Sequence, residues 1–195
     1  MNLLSTFKPT PVMKWLLGIK QNQIVIFTGN QFGKGASVSL NYVYRILGIH
    51  PIPEKNVVYF ECPEGHKFAP INKPANNLCP TCNQQVEEHR RASYVYRFGS
   101  PVLPGQTPVS GSNTEIKNTQ YPEFKKWLPA FLLKKDITFR NPAMTVKNCW
   151  SPKNDIIVEF IGYHQEVNDT SGVQRLSIWL DEEPEPDFYE EQRPR

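Results

Sequence analysis

An apolar run, Ile24-Val25-Ile26-Phe27, leads directly into Thr28-Gly29-Asn30-Gln31-Phe32-Gly33-Lys34-Gly35, and apolar residues then recur at Val38, Val43, Ile46 and Leu47. A buried strand, a glycine turn and a helix in immediate succession form one structural unit, so this stretch constrains the fold more than any other. The spacing predicts a helix over residues 36–47, stopped by Gly48 and Pro51. Glycines let such a loop turn its N–H groups inward, the helix N-terminus faces an anion, and a lysine reaches the outer phosphates of a nucleotide. Thr28, Gly29, Asn30, Gln31, Phe32, Gly33, Lys34 and Gly35 are therefore the expected nucleotide-binding residues. Two positions depart from the usual pattern: Thr28 stands where a glycine is common, and Gly35 where Ser or Thr usually follows the lysine. An ordinary strand-to-helix turn closed by glycine would share the same local pattern.

A second element raises the weight of the first. Leu176-Ser177-Ile178-Trp179-Leu180 reads as a buried strand that ends in Asp181-Glu182. Nucleotide-hydrolysing enzymes with a phosphate loop place an aspartate there to hold Mg²⁺ and often a glutamate after it to polarise the attacking water. Asp181 is thus the expected magnesium residue and Glu182 the expected catalytic one. The alternative is a strand running out into a solvated acidic loop, which Glu183, Glu185 and Asp187 would supply.

Between these elements stand Cys62, His66, Cys79 and Cys82, a Cys-x-x-x-His followed by a Cys-x-x-Cys. Zinc takes four tetrahedral sulfur or nitrogen ligands, and two such knuckles close around one ion without leaving an open position. A structural zinc site in a small ribbon-like module over residues 57–85 is expected. Cys149 lies far from the set and reads as a partly buried bystander, while His50, His89 and His164 read as structural or exposed. Three crowded cysteines with a histidine suit a metal in a reducing compartment better than two disulfides, which makes the cytoplasm the expected address.

The remaining pattern alternates strands and helices. An amphipathic stretch covers residues 13–19, strands are expected at 57–60, 93–98, 137–140, 144–146, 156–163 and 175–180, and a helix interrupted by Pro129 at 123–135. Residues 99–113, rich in Gly, Pro and Ser, read as a long loop, and the last residues as the start of a helix, as in a fragment of a longer chain. The fold class is α/β: an incomplete phosphate-loop (ASCE-type) sheet with helices on both faces, formed by 1–56 and 86–195, with 57–85 inserted. Composition excludes little. The net charge is +3, from 22 Lys and Arg against 19 Asp and Glu, and 39% hydrophobic residues allow an ordinary core. No apolar run reaches the ~18–20 residues of a membrane span, and no secretory cleavage pattern follows the first residues. The pairs Lys125-Lys126 and Lys134-Lys135 read as a solvated face rather than a phosphate contact.

The segments TGNQFGK, YPEFKKWLP and IWLDEEPEPDFYEEQRPR together resemble the large terminase subunits, ATP-driven motors that package DNA into tailed-phage heads. The acidic segment with Pro184, Tyr189, Glu190 and Glu191 carries most of that likeness. The resemblance implies ATP hydrolysis coupled to movement of double-stranded DNA, with Asp181 on Mg²⁺ and Glu182 as catalytic carboxylate. It also implies a portal protein and a small terminase subunit as partners, a ring of identical chains, and a host-cytoplasmic location docked on procapsids. No acidic nuclease cluster is present in these residues. The adenine-side glutamine of the family has no clear counterpart near Met13, and the loop lacks the family's arginine, for which Arg45, Arg97, Arg140 and Arg175 are candidates. Two other readings stay open: a different phosphate-loop translocase, such as a helicase-like ATPase, and a non-hydrolysing zinc-ribbon module on a degenerate nucleotide fold.

Overall fold

The structure is a computed structural model and describes residues 10–21, 33–100, 119–138, 142–163, 174–181 and 186–192. It divides into two units, Met1–Arg91 and Ala92–Arg195. The strand expected at 24–27 and residues 28–32 of the glycine loop lie outside the described residues, as do Glu182, Arg140 and His164.

In the N-terminal unit, helix α1 (Pro11–Gly18) starts with proline, whose missing N–H costs nothing there, and Thr10 caps it by accepting from the Met13 amide at 3.3 Å. Met13, Leu16 and Leu17 line its buried stripe, and α1 packs on helix α2 (Lys34–Leu47). Gly33, at φ +74°, turns the chain into α2, and Gly48, at φ +70°, ends it, with Gly48 and Ile49 amides bonding back to Arg45 and Tyr44 carbonyls. Every residue from Ser37 to Val43 is buried. Helix α2 is therefore encased on all sides over two turns, which is why serines and Asn41 alternate with Val38, Leu40 and Tyr42 there.

The chain then bends through the fully buried pair His50 and Asn56. Asn56 Oδ1 accepts from the His50 amide at 2.9 Å, and its Nδ2 donates to the carbonyls of Pro53 and His50. Three short strands follow, β1 (Val58–Glu61), β2 (Lys67–Phe68) and β3 (Glu87–Arg90), in an antiparallel sheet ordered β2-β1-β3. The strand that closes this sheet is Glu-Glu-His-Arg, for which apolar patterning gives no signal. It pairs Tyr59 with His89, whose rings stack at 5.1 Å.

The C-terminal unit is a mixed five-stranded sheet with helices. Strands β4 (Val95–Ser100), β5 (Leu133–Lys135), β6 (Ala143–Val146), β7 (Ile156–Gly162) and β8 (Ser177–Leu180) are ordered β5-β6-β7-β4-β8. Strands β7, β4 and β8 run parallel, while β5 and β6 are antiparallel additions. Register places Phe98 beside Phe160 and Tyr96 beside Val158 on one face. Helix α3 (Tyr121–Trp127) covers that face: Phe98 stacks on Phe160 at 5.1 Å and Phe124 meets Phe98 edge-on at 5.5 Å. Helix α4 (Pro186–Gln192) sets buried Phe188 against Tyr163.

Three expectations are corrected here. The helix expected at 123–135 stops at Trp127, because Pro129 holds Leu128 in extended backbone; a 3₁₀ turn (Ala130–Leu132) and then β5 replace its second half. In place of the strand expected at 137–140, β5 begins four residues earlier, and Ile137 and Thr138 are not in a strand, while 139 and 140 lie outside the described residues. The long loop begins later than residue 99, since Gly99 and Ser100 finish β4. Among the described residues, no helix is long and apolar enough to cross a membrane.

Candidate functional site

The cysteines and histidine come together as their spacing requires. Cys62 follows β1 directly, and a tight turn closes behind it: the Gly65 amide donates to the Cys62 carbonyl at 2.8 Å and the Cys62 amide to that of His66 at 3.1 Å. Gly65 sits at φ +80°, a conformation that side chains other than glycine's rarely tolerate. The second knuckle repeats this design. The Asn83 amide donates to the Cys79 carbonyl at 2.8 Å, the Cys79 amide to that of Gln84 at 2.8 Å, and Asn83 takes φ +59°, which asparagine accepts more readily than most residues.

His66 Nδ1 stands 3.3 Å from Cys62 Sγ and 3.6 Å from Cys79 Sγ, and Cys82 Sγ lies 3.6 Å from Cys62 Sγ. All four ligand atoms fall within 4.8 Å of one another. Around a tetrahedral zinc with Zn–S ~2.3 Å and Zn–N ~2.0 Å, neighbouring ligands sit roughly 3.5–3.8 Å apart, so the spacing fits the ion. The donor set fits as well: three thiols and one imidazole, with Cys62 and Cys79 buried. Burial pushes the Cys79 thiol up, but the Cys82 and Thr81 amides and the neighbouring thiols outweigh it and bring Cys79 down to about 6. The Gln84 amide favours the Cys82 thiolate, yet burial and the other thiols hold Cys82 up at about 11. Crowded thiols that cannot all ionise together are what a cation relieves, and the cluster can hold a metal ion such as zinc.

At the start of α2, Gly33, Lys34 and Gly35 are the described part of the glycine loop. Lys34 is half-buried, and a Cβ on Gly35 would meet open space. The Ser37 hydroxyl donates to the Gly33 carbonyl at 2.8 Å and is buried, so it is committed to the helix.

In the C-terminal unit, Asp181 follows β8 at the carboxyl ends of the parallel strands. The Asp181 amide donates to the Gly99 carbonyl at 3.0 Å, and the Tyr163 hydroxyl donates to the Asp181 carbonyl at 2.7 Å. Gly99 has no room for a side chain: a Cβ would lie 2.7 Å from Leu180 Cδ2 and 3.0 Å from the Tyr163 ring. Gln120, 4% exposed, donates its side-chain nitrogen to the same Gly99 carbonyl at 3.1 Å. Nothing in the sequence singles out Gln120, since its place depends on contacts with residues far along the chain.

The arginine candidates separate. Arg97 is buried and bonds Glu159 through Nη2 at 2.6 Å, and Arg175 approaches the same carboxylate at 3.5 Å. Burial chiefly, and the Arg175 charge, bring Arg97 down to about 10 against the pull of Glu159. Arg45 lies in the last turn of α2, over the Tyr42 ring. Lys125 pairs with Asp136 and Lys134 with Asp155, in keeping with a solvated basic face. Cys149 is exposed rather than partly buried, because it sits in a bend beyond β6 instead of in a strand. No protein-family model, curated protein or solved structure matches the chain.

Proposed function

We propose that this chain is the ATPase segment of a viral DNA-packaging motor of the large-terminase kind, built on a phosphate-loop sheet and carrying a structural zinc in its N-terminal unit. The observation that carries the reading is the parallel strand β8 that ends in Asp181, and within the N-terminal unit a left-handed Gly33 opens a helix at Lys34, as the phosphate-loop pattern of the sequence requires. The terminase-like segments supply the specificity.

In this reading the loop from Thr28 to Gly35 binds the ATP phosphates through its amides, and the Lys34 ammonium offsets the charge that grows on the outer phosphates. Asp181 would hold Mg²⁺, which when bound neutralises phosphate charge. Glu182 accepts a proton from a water whose oxygen attacks the terminal phosphorus, and the bond to the ADP oxygen breaks as the new one forms. Cys62, His66, Cys79 and Cys82 would hold zinc in a closed site, with a structural rather than catalytic role. The N-terminal unit also carries the positive excess, ten Lys and Arg against five Asp and Glu in residues 1–91, which suits double-stranded DNA as partner.

Lys34→Ala in the whole protein is expected to abolish ATP turnover, and unchanged turnover would remove the phosphate-loop reading. One observation favours a second reading, a non-hydrolysing zinc module on a degenerate nucleotide fold. Gly35 lacks the hydroxyl usual for the metal at that position, and the Ser37 hydroxyl is already committed to Gly33. Wild-type protein that binds DNA without hydrolysing ATP would select it.

A further inference from the structure

We propose that one face of the sheet β2-β1-β3 is a nucleic-acid contact surface, on which Arg91 and Lys67 bind backbone phosphates of double-stranded DNA; this rests on the reading above that DNA is the partner. Register builds the face. Tyr59 pairs with His89, and Glu61 with Lys67 and Glu87, while the Arg91 amide carries the ladder on to the Val57 carbonyl at 3.3 Å. Side chains two apart on a strand share a side, so Tyr59, Glu61, Lys67, Glu87, His89 and Arg91 stand on one face. Lys67 and Glu87 are exposed there, and Tyr59, His89 and Arg91 are half-buried. Val58 and Phe60 take the opposite face and are buried.

Two cations flank one ring on this face: the Lys67 ammonium lies 6.0 Å and the Arg91 guanidinium 5.6 Å from the Tyr59 centroid. No carboxylate pairs with Arg91 among the described residues, whereas Arg90, on the opposite face, holds Glu88 at 2.5 Å. Of the Arg91 nitrogens only Nε is closed to solvent, so the Nη pair is open to a ligand. A guanidinium without a carboxylate suits an anion from outside the chain, and its planar fork matches two phosphate oxygens. Lys67 meets Glu54 only at 3.9 Å, with both side chains about a third or more exposed, and such a pair gives way readily to a phosphate. The Tyr59 ring already stacks on His89 at 5.1 Å, so no base enters between them. The face therefore offers cations beside a closed aromatic pair, which suits the phosphates of a duplex rather than the unstacked bases of a single strand. Glu61 and Glu87, register partners at the end nearer Cys62, repel phosphates and confine the contact to the Arg91 end.

The test is binding of a labelled DNA duplex of random sequence to the whole, zinc-saturated protein over a series of salt concentrations, for wild type, Arg91→Gln, Arg91→Lys, Lys67→Gln and Arg90→Gln. Each phosphate contact contributes about 0.9 to the fall of log affinity with log salt. Arg91→Gln and Lys67→Gln are expected to weaken binding alike on duplexes of different sequence and to lower that slope by about 1 each. Arg91→Lys keeps the charge and should keep the slope, and Arg90→Gln, on the other face, should match wild type. An unchanged slope in Lys67→Gln and Arg91→Gln overturns this proposal alone and leaves DNA as the partner. An equal loss in Arg90→Gln would mean diffuse attraction to the whole unit and also overturn it. Tighter binding of a single strand than of the duplex, or displacement of the duplex by polyglutamate at matched charge, would assign the face to unstacked bases or to an acidic protein, and either result overturns it. Wild-type protein that binds no DNA removes the DNA reading, and the proposal with it. Should Arg91→Gln lose its zinc, Lys67→Gln decides by the same slope.

Discussion

The metal cluster and the strand end at Asp181 hold polar groups at fixed separations by opposite means. The four ligands lie within residues 62–82, on two turns that each close their own hydrogen bonds. The strand end draws Gly99, Gln120, Tyr163 and Asp181 from separate elements of a sheet, and it holds because the aromatic layer of Phe98, Phe124 and Phe160 fixes those elements first. A local site needs little core but requires something to bind its ligands. A non-local site needs no cross-link, and it inherits its precision from packing.

The largest predicted effect breaks the local half of this comparison. The sheet around the cluster has strands of only four, two and four residues, so metal binding is expected to supply much of its stability. Structural zinc in small modules contributes on the order of 10 kcal/mol near neutral pH. Protein purified without chelator is expected to hold one zinc per chain by elemental analysis. Strong chelation or Cys62→Ser should then strip amide-exchange protection from residues 58–90 while leaving β4 and β7 protected. Metal-free protein with β1 still protected would show that the sheet stands on its own packing.

Phe160→Ala attacks the other half. The ring is fully buried, stacked on Phe98 and met by Phe124 and Tyr121, and such truncations cost about 3–5 kcal/mol. The C-terminal unit should lose that much in denaturant titration, with zinc content unchanged. Loss of zinc in this variant would mean that the two regions do not fold independently.

The same contrast explains what the sequence discloses. Cys-x-x-x-His and Cys-x-x-Cys were legible because their geometry is set within a few residues, and so were β1, β7 and β8, whose residues are mostly apolar and β-prone. Strand β3 was not, since Glu87, Glu88, His89 and Arg90 gain their strand only by pairing with β1. Strand β5 lay hidden inside a stretch with helical spacing, and only Pro129 marked the break. The aspartate at position 181 was visible as a strand end, but its neighbours Gln120 and Tyr163 come from elements that sheet order alone brings there.

A smaller effect depends on pH. His50 is fully buried among Asn41, Ile52 and Asn56, and burial, with the Arg45 charge, holds it down to about 3 from an ordinary 6.5. The folded unit keeps the imidazole neutral, whereas the unfolded chain takes up a proton below pH 6.5. Stability is therefore fully present above that pH and is lost as pH falls toward 3, with a limiting slope of about 1.4 kcal/mol per pH unit. In zinc-saturated protein, the difference in unfolding midpoint between wild type and His50→Gln should narrow as pH drops from 7 to 4.5. A difference that stays constant over that range would mean His50 is protonated in the fold.

The smallest effect lies at Gly35, and its sign separates stability from function. Gly35 is the second residue of α2, has no positive φ, and would present a Cβ to open space, so nothing in the fold requires glycine there. Removing its freedom in the unfolded chain should stabilise the N-terminal unit by about 0.5–1 kcal/mol in Gly35→Ala. A phosphate drawn against the first amides of the helix would crowd that new methyl group, so the variant should melt later yet bind ATP more weakly, as read by calorimetry of binding beside thermal melting. Later melting with undiminished ATP binding would leave the glycine without a role at the phosphates. Earlier melting would mean that the close packing of α2 extends to its first turn, where the present structure leaves space.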